Sequence, residues 1–268
     1  IVESFRKVKV CVIGDVIVDE YINCRILGLS QEEPLPVAAP IDTKRFIGGA
    51  AIVAAHQSTL GAETTLLTVM GEANWIADEM KSAGVNLKYV KDNVRPTTLK
   101  QRYRRGHQTL FKLSRLSEQS IVNETREEFL ELVKRSIAEV DLVVFSDFSY
   151  GVIDEELVRL VVEYCAPKGV IVCGDSQSSS QIGSLGRFFK ISLLTPTEYE
   201  ARQELRNPND GLAIVAEELR RKLEVSNLIL KLGAGGILVH YWNKAKEDIA
   251  TEQIPALNHH PIDTSGAG

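Results

Sequence analysis

Short apolar runs alternate with stretches whose apolar residues recur at helical spacing, and they do so along most of the 268-residue chain. This rhythm predicts an α/β fold with a mostly parallel central sheet flanked by helices. The predicted strands are 8–13, 65–69, 141–145, 170–173, 192–194 and 227–232, short and rich in Val, Ile and Leu as strands buried on both faces should be. Helices are predicted near 50–60, 73–83, 155–166, 198–206 and 211–223. Another should open at Thr125, which stands three residues before Glu128 in capping-box spacing, ahead of an apolar stripe of Phe129, Leu130, Val133 and Ile137.

Two stretches, 16–45 and 86–117, break that rhythm and read as extended, which predicts a small β lid on a single domain spanning 1–268. Between Arg95 and Arg115 the chain carries Arg95, Lys100, Arg102, Arg104, Arg105, Lys112 and Arg115 with no acidic residue. In a strand over 98–104, Lys100, Arg102 and Arg104 share one face, and Leu99, Gln101 and Tyr103 the other. Two readings fit. The cations receive an anionic group such as a sugar phosphate, or they protect an edge strand against pairing.

Ligands of open α/β sheets bind beyond the carboxyl ends of the strands. Those ends are polar or Gly-rich here: Gly14-Asp15, Gly71-Glu72, Ser146-Asp147, Gly174-Asp175, Thr195-Pro196-Thr197 and Gly233-Ala234-Gly235-Gly236. Asp15 and Asp19, four apart, suit sugar hydroxyls or are solvated loop residues. Gly48-Gly49-Ala50-Ala51 allows close approach of a ligand or close helix packing. Lys231 with Gly233 and Gly236 forms either a loop under nucleotide phosphates or a plain hairpin turn. Glu198 and Glu200 start a helix, where they would hold a hydrated Mg²⁺ or simply complement the helix dipole. The sequence Asp263-Thr264-Ser265-Gly266-Ala267-Gly268 gathers small residues whose backbone N–H groups can converge on a transferring phosphoryl group, or make an ordinary turn.

Composition narrows the field. With 44% hydrophobic and 25% charged residues the chain can bury a sizeable core, and its formal net charge of −5 argues against a general nucleic-acid binder. No apolar run approaches the roughly 20 residues of a bilayer span. Neither a signal peptide nor a membrane partner is expected, and the chain reads as cytoplasmic. Cys11, Cys24, Cys165 and Cys173 include no C-x-x-C pair and read as reduced thiols. P-loop, G-x-G-x-x-G, G-x-S-x-G and H-E-x-x-H patterns are absent, and adjacent His259 and His260 read as surface residues.

Taken jointly, several motifs resemble the ribokinase-like (PfkB) carbohydrate kinases, and within them the heptose 7-phosphate kinases. These are Val12 to Tyr21, Glu32 to Val37, Gly48-Gly49-Ala50-Ala51, Arg95 to Lys100, Ser146-Asp147-Phe148, Leu194 to Glu200 and the terminal Asp263 to Gly268. The resemblance implies ATP and Mg²⁺ as cofactors, a monovalent cation such as K⁺, transfer of the γ-phosphoryl group to a sugar or sugar-phosphate hydroxyl, and a homodimer formed through the lid. It gives Asp19, Gly48, Gly49 and Asp147 to the sugar, and Lys100 and Arg102 to a substrate phosphate. Glu200 is given to the metal water, Lys231, Gly233, Gly236 and Thr264 to the nucleotide, Gly266, Ala267 and Gly268 to the anion hole, and Asp263 with Ser265 to the monovalent cation. Four positions depart from the pattern, Ile52, Thr197, Tyr150 and Gln177, each with loss of a polar or cationic contact. The family's general base follows directly after the position of Gly268, so the natural chain is expected to be longer. A degenerate relative that binds sugar or nucleotide without turnover is the other function class left open.

Overall fold

A computed structural model of the chain describes residues 2–71, 74–117, 121–177 and 184–258. Its larger sheet contains, among the described residues, nine strands: β1 (Lys9–Gly14), β4 (Glu63–Met70), β5 (Asn86–Lys91), β8 (Leu142–Asp147), β9 (Ile171–Ser176), β10 (Leu193–Leu194), β11 (Asn227–Lys231), β12 (Ile237–Asn243) and β13 (Asp248–Ile254). Across the sheet they run β13-β12-β11-β10-β9-β8-β1-β4-β5. Pairing is parallel from β5 through β11 and antiparallel at the β11–β12 and β12–β13 ladders. The expected α/β class with a mostly parallel sheet is therefore the observed one.

Helices cover both faces because each central strand is apolar on both sides. In β1, Val10 and Val12 pack with α1 (Ala50–Thr59) and α2 (Asn74–Ser82), and Cys11 and Ile13 turn to the opposite cluster. That second cluster takes its helical side chains from α3 (Asn123–Ser136), α4 (Glu155–Cys165), α5 (Glu198–Leu205) and α6 (Leu212–Leu223). Each fully buried Val, Ile or Phe contributes about 1.5–3 kcal/mol of transfer free energy, so the strands with two buried faces anchor the core.

A second sheet of four strands forms the lid, in the order β3 (Pro36–Gly49), β2 (Val16–Leu29), β6 (Thr98–Arg105), β7 (Gln108–Arg115). Three expectations are corrected here. Residues 86–91 belong to β5 in the main sheet, paired in parallel with β4, because the strand–helix rhythm runs through α2 for one further unit before the lid resumes. The helix expected at Thr125 starts at Asn123, after an extended Val122 that offers no side-chain cap, so Thr125 lies inside the first turn. A capping box does form at Thr197–Glu200, and Asp154 caps α4 by accepting from Leu157 N–H at 2.8 Å. The β12–β13 hairpin was not among the predicted strands.

Candidate active site

Strand register determines which lid residues face the main sheet. Asp19 stands opposite Phe46 on one side and Lys100 on the other, Tyr21 opposite Lys44 and Arg102, and Asn23 opposite Asp42 and Arg104. Directly paired residues project from the same face. Lys100, Arg102 and Arg104 therefore share the inner face, as the period of two requires. They line a cavity of about 730 Å³ with Asp19, Tyr21, Lys44, Phe46, Gly48 and Gly49 of the lid, Ile52 and His56 of α1, Ser146 and Phe148 after β8, and Asp175 and Gln177 after β9. Four cations against two carboxylates make this cavity positive on a chain of net charge −5.

The opposite face of the same strands is structural. Gln101 Nε2 donates to Glu20 Oε2 at 2.8 Å and Arg45 Nε donates to Glu20 Oε1 at 2.5 Å, which holds the Glu20 carboxyl below its ordinary range against the opposing effect of its burial. Tyr103 stacks on Phe111 with centroids 4.3 Å apart. Edge protection, where it applies, falls to Lys112 and Arg115 on the exposed outer strand β7, since β6 is covered on both sides by β2 and β7.

Asp15 and Asp19 do not act together. Asp15 lies between β1 and β2 and is 2% exposed. Its Oδ2 accepts from Phe148 N–H at 3.0 Å and Tyr150 N–H at 3.4 Å, and its Oδ1 accepts from Val152 N–H at 3.2 Å. Burial, with the nearby Asp147 charge adding to it, pushes Asp15 up to about 6 while the three N–H donors oppose the shift. The expected sugar ligand is thus a buried clamp on the loop that follows β8. Arg95 holds the same loop through Tyr150 O, close enough to Asp15 for the two charges to attract.

Asp147 is buried in the same way. It is 1% exposed, pairs with Arg187 Nη1 at 3.3 Å and accepts from Ser149 N–H at 2.8 Å, while burial pushes its carboxyl upward. What the clamped loop delivers to the cavity is aromatic. Lys100 Nζ lies 5.2 Å from the Tyr150 ring centroid and 5.7 Å from that of Phe148.

Asp19 lines the cavity and is bonded by Arg102 Nη1. Gly48 and Gly49 lie beside it for different reasons. At Gly48 a Cβ would stand 2.5 Å from Asp19 Oδ2, whereas Gly49 has φ +60° and abuts the Asp15 carbonyl oxygen. That carbonyl accepts from Ala50 N–H at 2.9 Å, which closes the lid's return onto α1.

On the far side of the cleft, Lys231 ends β11 and its Nζ donates to Asp175 Oδ1 at 2.6 Å. The loop from Gly233 to Gly236 follows as the turn between antiparallel β11 and β12, with φ +59° at Gly233 and +85° at Gly236. Gly236 meets the backbone of Ile254 and Ala256 where a side chain would stand. Glu200 is 6% exposed and its Oε2 accepts from Thr197 N–H at 2.7 Å, while Glu198 pairs with Arg202 at 2.8 Å. Among the described residues no three His, Cys, Asp or Glu side chains gather as a closed metal site would require. Asp263, Thr264, Ser265, Gly266, Ala267 and Gly268, together with Glu72, His259 and His260, lie outside the described residues.

Lys44, Phe46 and His56 line the cavity although the sequence pattern did not single them out, and so do Tyr21 and Asp175, which it noted only as parts of a motif and of a polar strand end. Lys44 and Phe46 alternate on β3 as Asp19 and Tyr21 do on β2, so the signal was the pairing of two period-two strands whose register sequence alone leaves open. Cys11, Cys165 and Cys173 are held well above ordinary thiol values, chiefly by burial, and all four cysteines are free.

Residues 7–268 match the pfkB family of carbohydrate kinases. The D-beta-D-heptose 7-phosphate kinase of Bordetella bronchiseptica is 30% identical over 273 residues, covering 99% of this chain and 82% of that protein. The bifunctional protein HldE of Nitratiruptor sp. is 28% identical over 269 residues, 98% of this chain, which spans about half (54%) of that longer relative. The crystal structure of phosphofructokinase-2 from Escherichia coli in complex with substrates and products superposes with a TM-score of 0.74 at 16% identity, covering 97% of this chain and 83% of that one. Sequence and fold lead to one conclusion: the chain belongs to the pfkB family of carbohydrate kinases.

Proposed function

We propose that the chain is an ATP-dependent kinase for a phosphorylated sugar, resembling heptose 7-phosphate, and that it transfers the γ-phosphoryl group to a sugar hydroxyl. The observation that carries this reading is the row of Lys100, Arg102 and Arg104 beside Asp19 and Lys44 on one face of the lid, all lining one cavity. A carboxylate suits hydroxyls, and a cluster of cations suits a terminal phosphate. The relative's name, D-beta-D-heptose 7-phosphate kinase, supports the same substrate class.

In this reading Asp19 orients the sugar. Lys100, positioned by its aromatic neighbours, fixes the anionic end, and Lys231 with the Gly233–Gly236 turn lies under the nucleotide. Glu200, whose Oε2 accepts from Thr197 N–H in the capping box, would reach Mg²⁺ through water. That suits an ion that keeps most of its hydration shell and neutralises phosphate charge. The anion hole of Gly266, Ala267 and Gly268, and the monovalent-cation role of Asp263, complete the proposal from resemblance. A homodimer through the lid is part of it, supported by the exposed Leu27, Leu29, Val37 and Ile41 on the distal ribbon. Among the described residues no helix is long and apolar enough to cross a membrane. A cytoplasmic location is proposed with it.

A coupled assay of ADP release across heptose 7-phosphate, hexose 6-phosphates and their neutral counterparts tests the proposal. Turnover confined to phosphorylated sugars is the expected result. Silence with every sugar from a folded preparation that includes the general base expected after Gly268 would favour a binding protein without turnover.

A further inference from the structure

Asp19 and Arg102 stand in adjacent rows of the lid's inner face, and the guanidinium of Arg102 is bonded to Asp19 Oδ1. The other carboxylate oxygen lies against Gly48. Each side chain is 21% exposed, and Arg102 also covers the Tyr21 ring at 5.1 Å. The carboxylate best placed for a sugar hydroxyl is thus covered by a cation on one side and by glycine backbone on the other.

We propose that the Asp19–Arg102 pair is a specificity gate, in which a ligand reaches Asp19 only by drawing Arg102 away, and an anionic group on that same ligand is what draws it. This rests on the sugar-phosphate reading above. Arg102 withdrawn from Asp19 has Lys44, Lys100 and Arg104 as its neighbours on the same inner face of the lid. With a neutral sugar, Arg102 loses its counter-charge among like charges in a partly desolvated site, a costly arrangement. A phosphate replaces the carboxylate with an acceptor that suits the guanidinium fork. Ring recognition and phosphate recognition are then coupled through one side chain, and such coupling acts equally in both directions.

A simple phosphate contact predicts something else: removing Arg102 would weaken phosphorylated ligands and leave neutral ones unaffected. Calorimetry on wild type, Arg102→Met and Asp19→Asn, each checked for native circular dichroism, separates the two. The probes are a D-heptose, its 7-phosphate and inorganic phosphate. Arg102→Met should bind the neutral heptose about threefold or more tightly, because Asp19 is uncovered, and the 7-phosphate about tenfold more weakly. Asp19→Asn frees Arg102 and should tighten inorganic phosphate by about threefold or more, an arm that stands even if Arg102→Met does not fold. Unchanged or weaker neutral-heptose binding in Arg102→Met, or unchanged phosphate binding in Asp19→Asn, overturns the gate while the sugar-phosphate reading survives. Failure of wild type to bind the 7-phosphate overturns both.

Discussion

Lys231 Nζ donates to Asp175 Oδ1 at 2.6 Å, joining the ends of β9 and β11 across the short strand β10 between them. Thr195 Oγ1 donates to the same oxygen at 2.7 Å. Asp175 lines the cavity proposed for the sugar and Lys231 leads into the turn proposed for the nucleotide, so one ion pair joins the two proposed halves of the cleft.

Lys231→Met should therefore act on both sides. It leaves the Asp175 charge unmatched beside an anionic sugar, and KM for a sugar phosphate should rise by about threefold to tenfold, the size of one screened charge contact. Adding Asp175→Asn should recover part of that loss. Steady-state kinetics on the four corners of the cycle measure the coupling, and strictly additive effects would show that the pair does not work as a unit.

Lys100→Gln shortens the side chain by one atom and removes its charge from beside Phe148 and Tyr150. KM for a sugar phosphate should rise on the order of tenfold, since one charge-assisted contact is worth about 1.5–3 kcal/mol. The rise of KM with added salt should also flatten. Unchanged KM for every phosphorylated sugar tested would remove Lys100 from substrate recognition.

Gly48→Ala and Gly49→Ala should fail differently. The first places a methyl group against Asp19 Oδ2 without requiring a left-handed backbone, so sugar affinity should drop with little change in melting temperature. The second forces a side chain onto φ +60° and against the Asp15 carbonyl, so stability should drop by about 1–3 kcal/mol. Thermal unfolding beside calorimetry distinguishes them, and equal stability losses would contradict the assignment.

Asp15→Asn tests the buried clamp. The variant loses at least one of the three backbone acceptances and should be less stable by about 1–3 kcal/mol. Asp15 is raised in the fold from 3.8 to about 6, so its protonation favours the folded state. That contribution is complete below the unfolded value and is lost as pH rises through about 6. The melting-temperature gap between wild type and variant should accordingly widen as pH falls from 7 towards 4.5, and a constant gap would place the folded value of Asp15 near its ordinary one.

Local chemistry was readable wherever a short period carried it. The run Val10 to Ile13 announced a strand buried on both faces, and the alternation of Lys100, Arg102 and Arg104 announced a shared face. Gly48-Gly49 announced a close approach. Long-range destinations were not readable. Asp15 looked like a cleft carboxylate because nothing near it in sequence shows that its partners lie 133 to 137 residues away. Lys231 found its counter-ion 56 residues upstream. The β12–β13 hairpin escaped notice because its outer strand is largely exposed and lacks the apolar run that marks the central strands.

The roots of the lid bear on how the cavity measures its ligand. β2 starts one residue after β1 ends, β3 ends where α1 begins, and both junctions meet at the clamped Asp15. The ribbon's register shifts lie at Asn23/Cys24 and Ile26/Gly28, at or beyond the last cavity row. The proximal part is therefore a plate of regular β2–β3 pairing, with the irregular pairing at its end and in the distal ribbon. Successive rows on that plate are two residues, about 7 Å, apart. Under the proposed assignment the lid would be a ruler as well as a cover, grading substrates by the distance from a hydroxyl at Asp19 to an anion at Arg102 or Arg104, in steps set by the pleat.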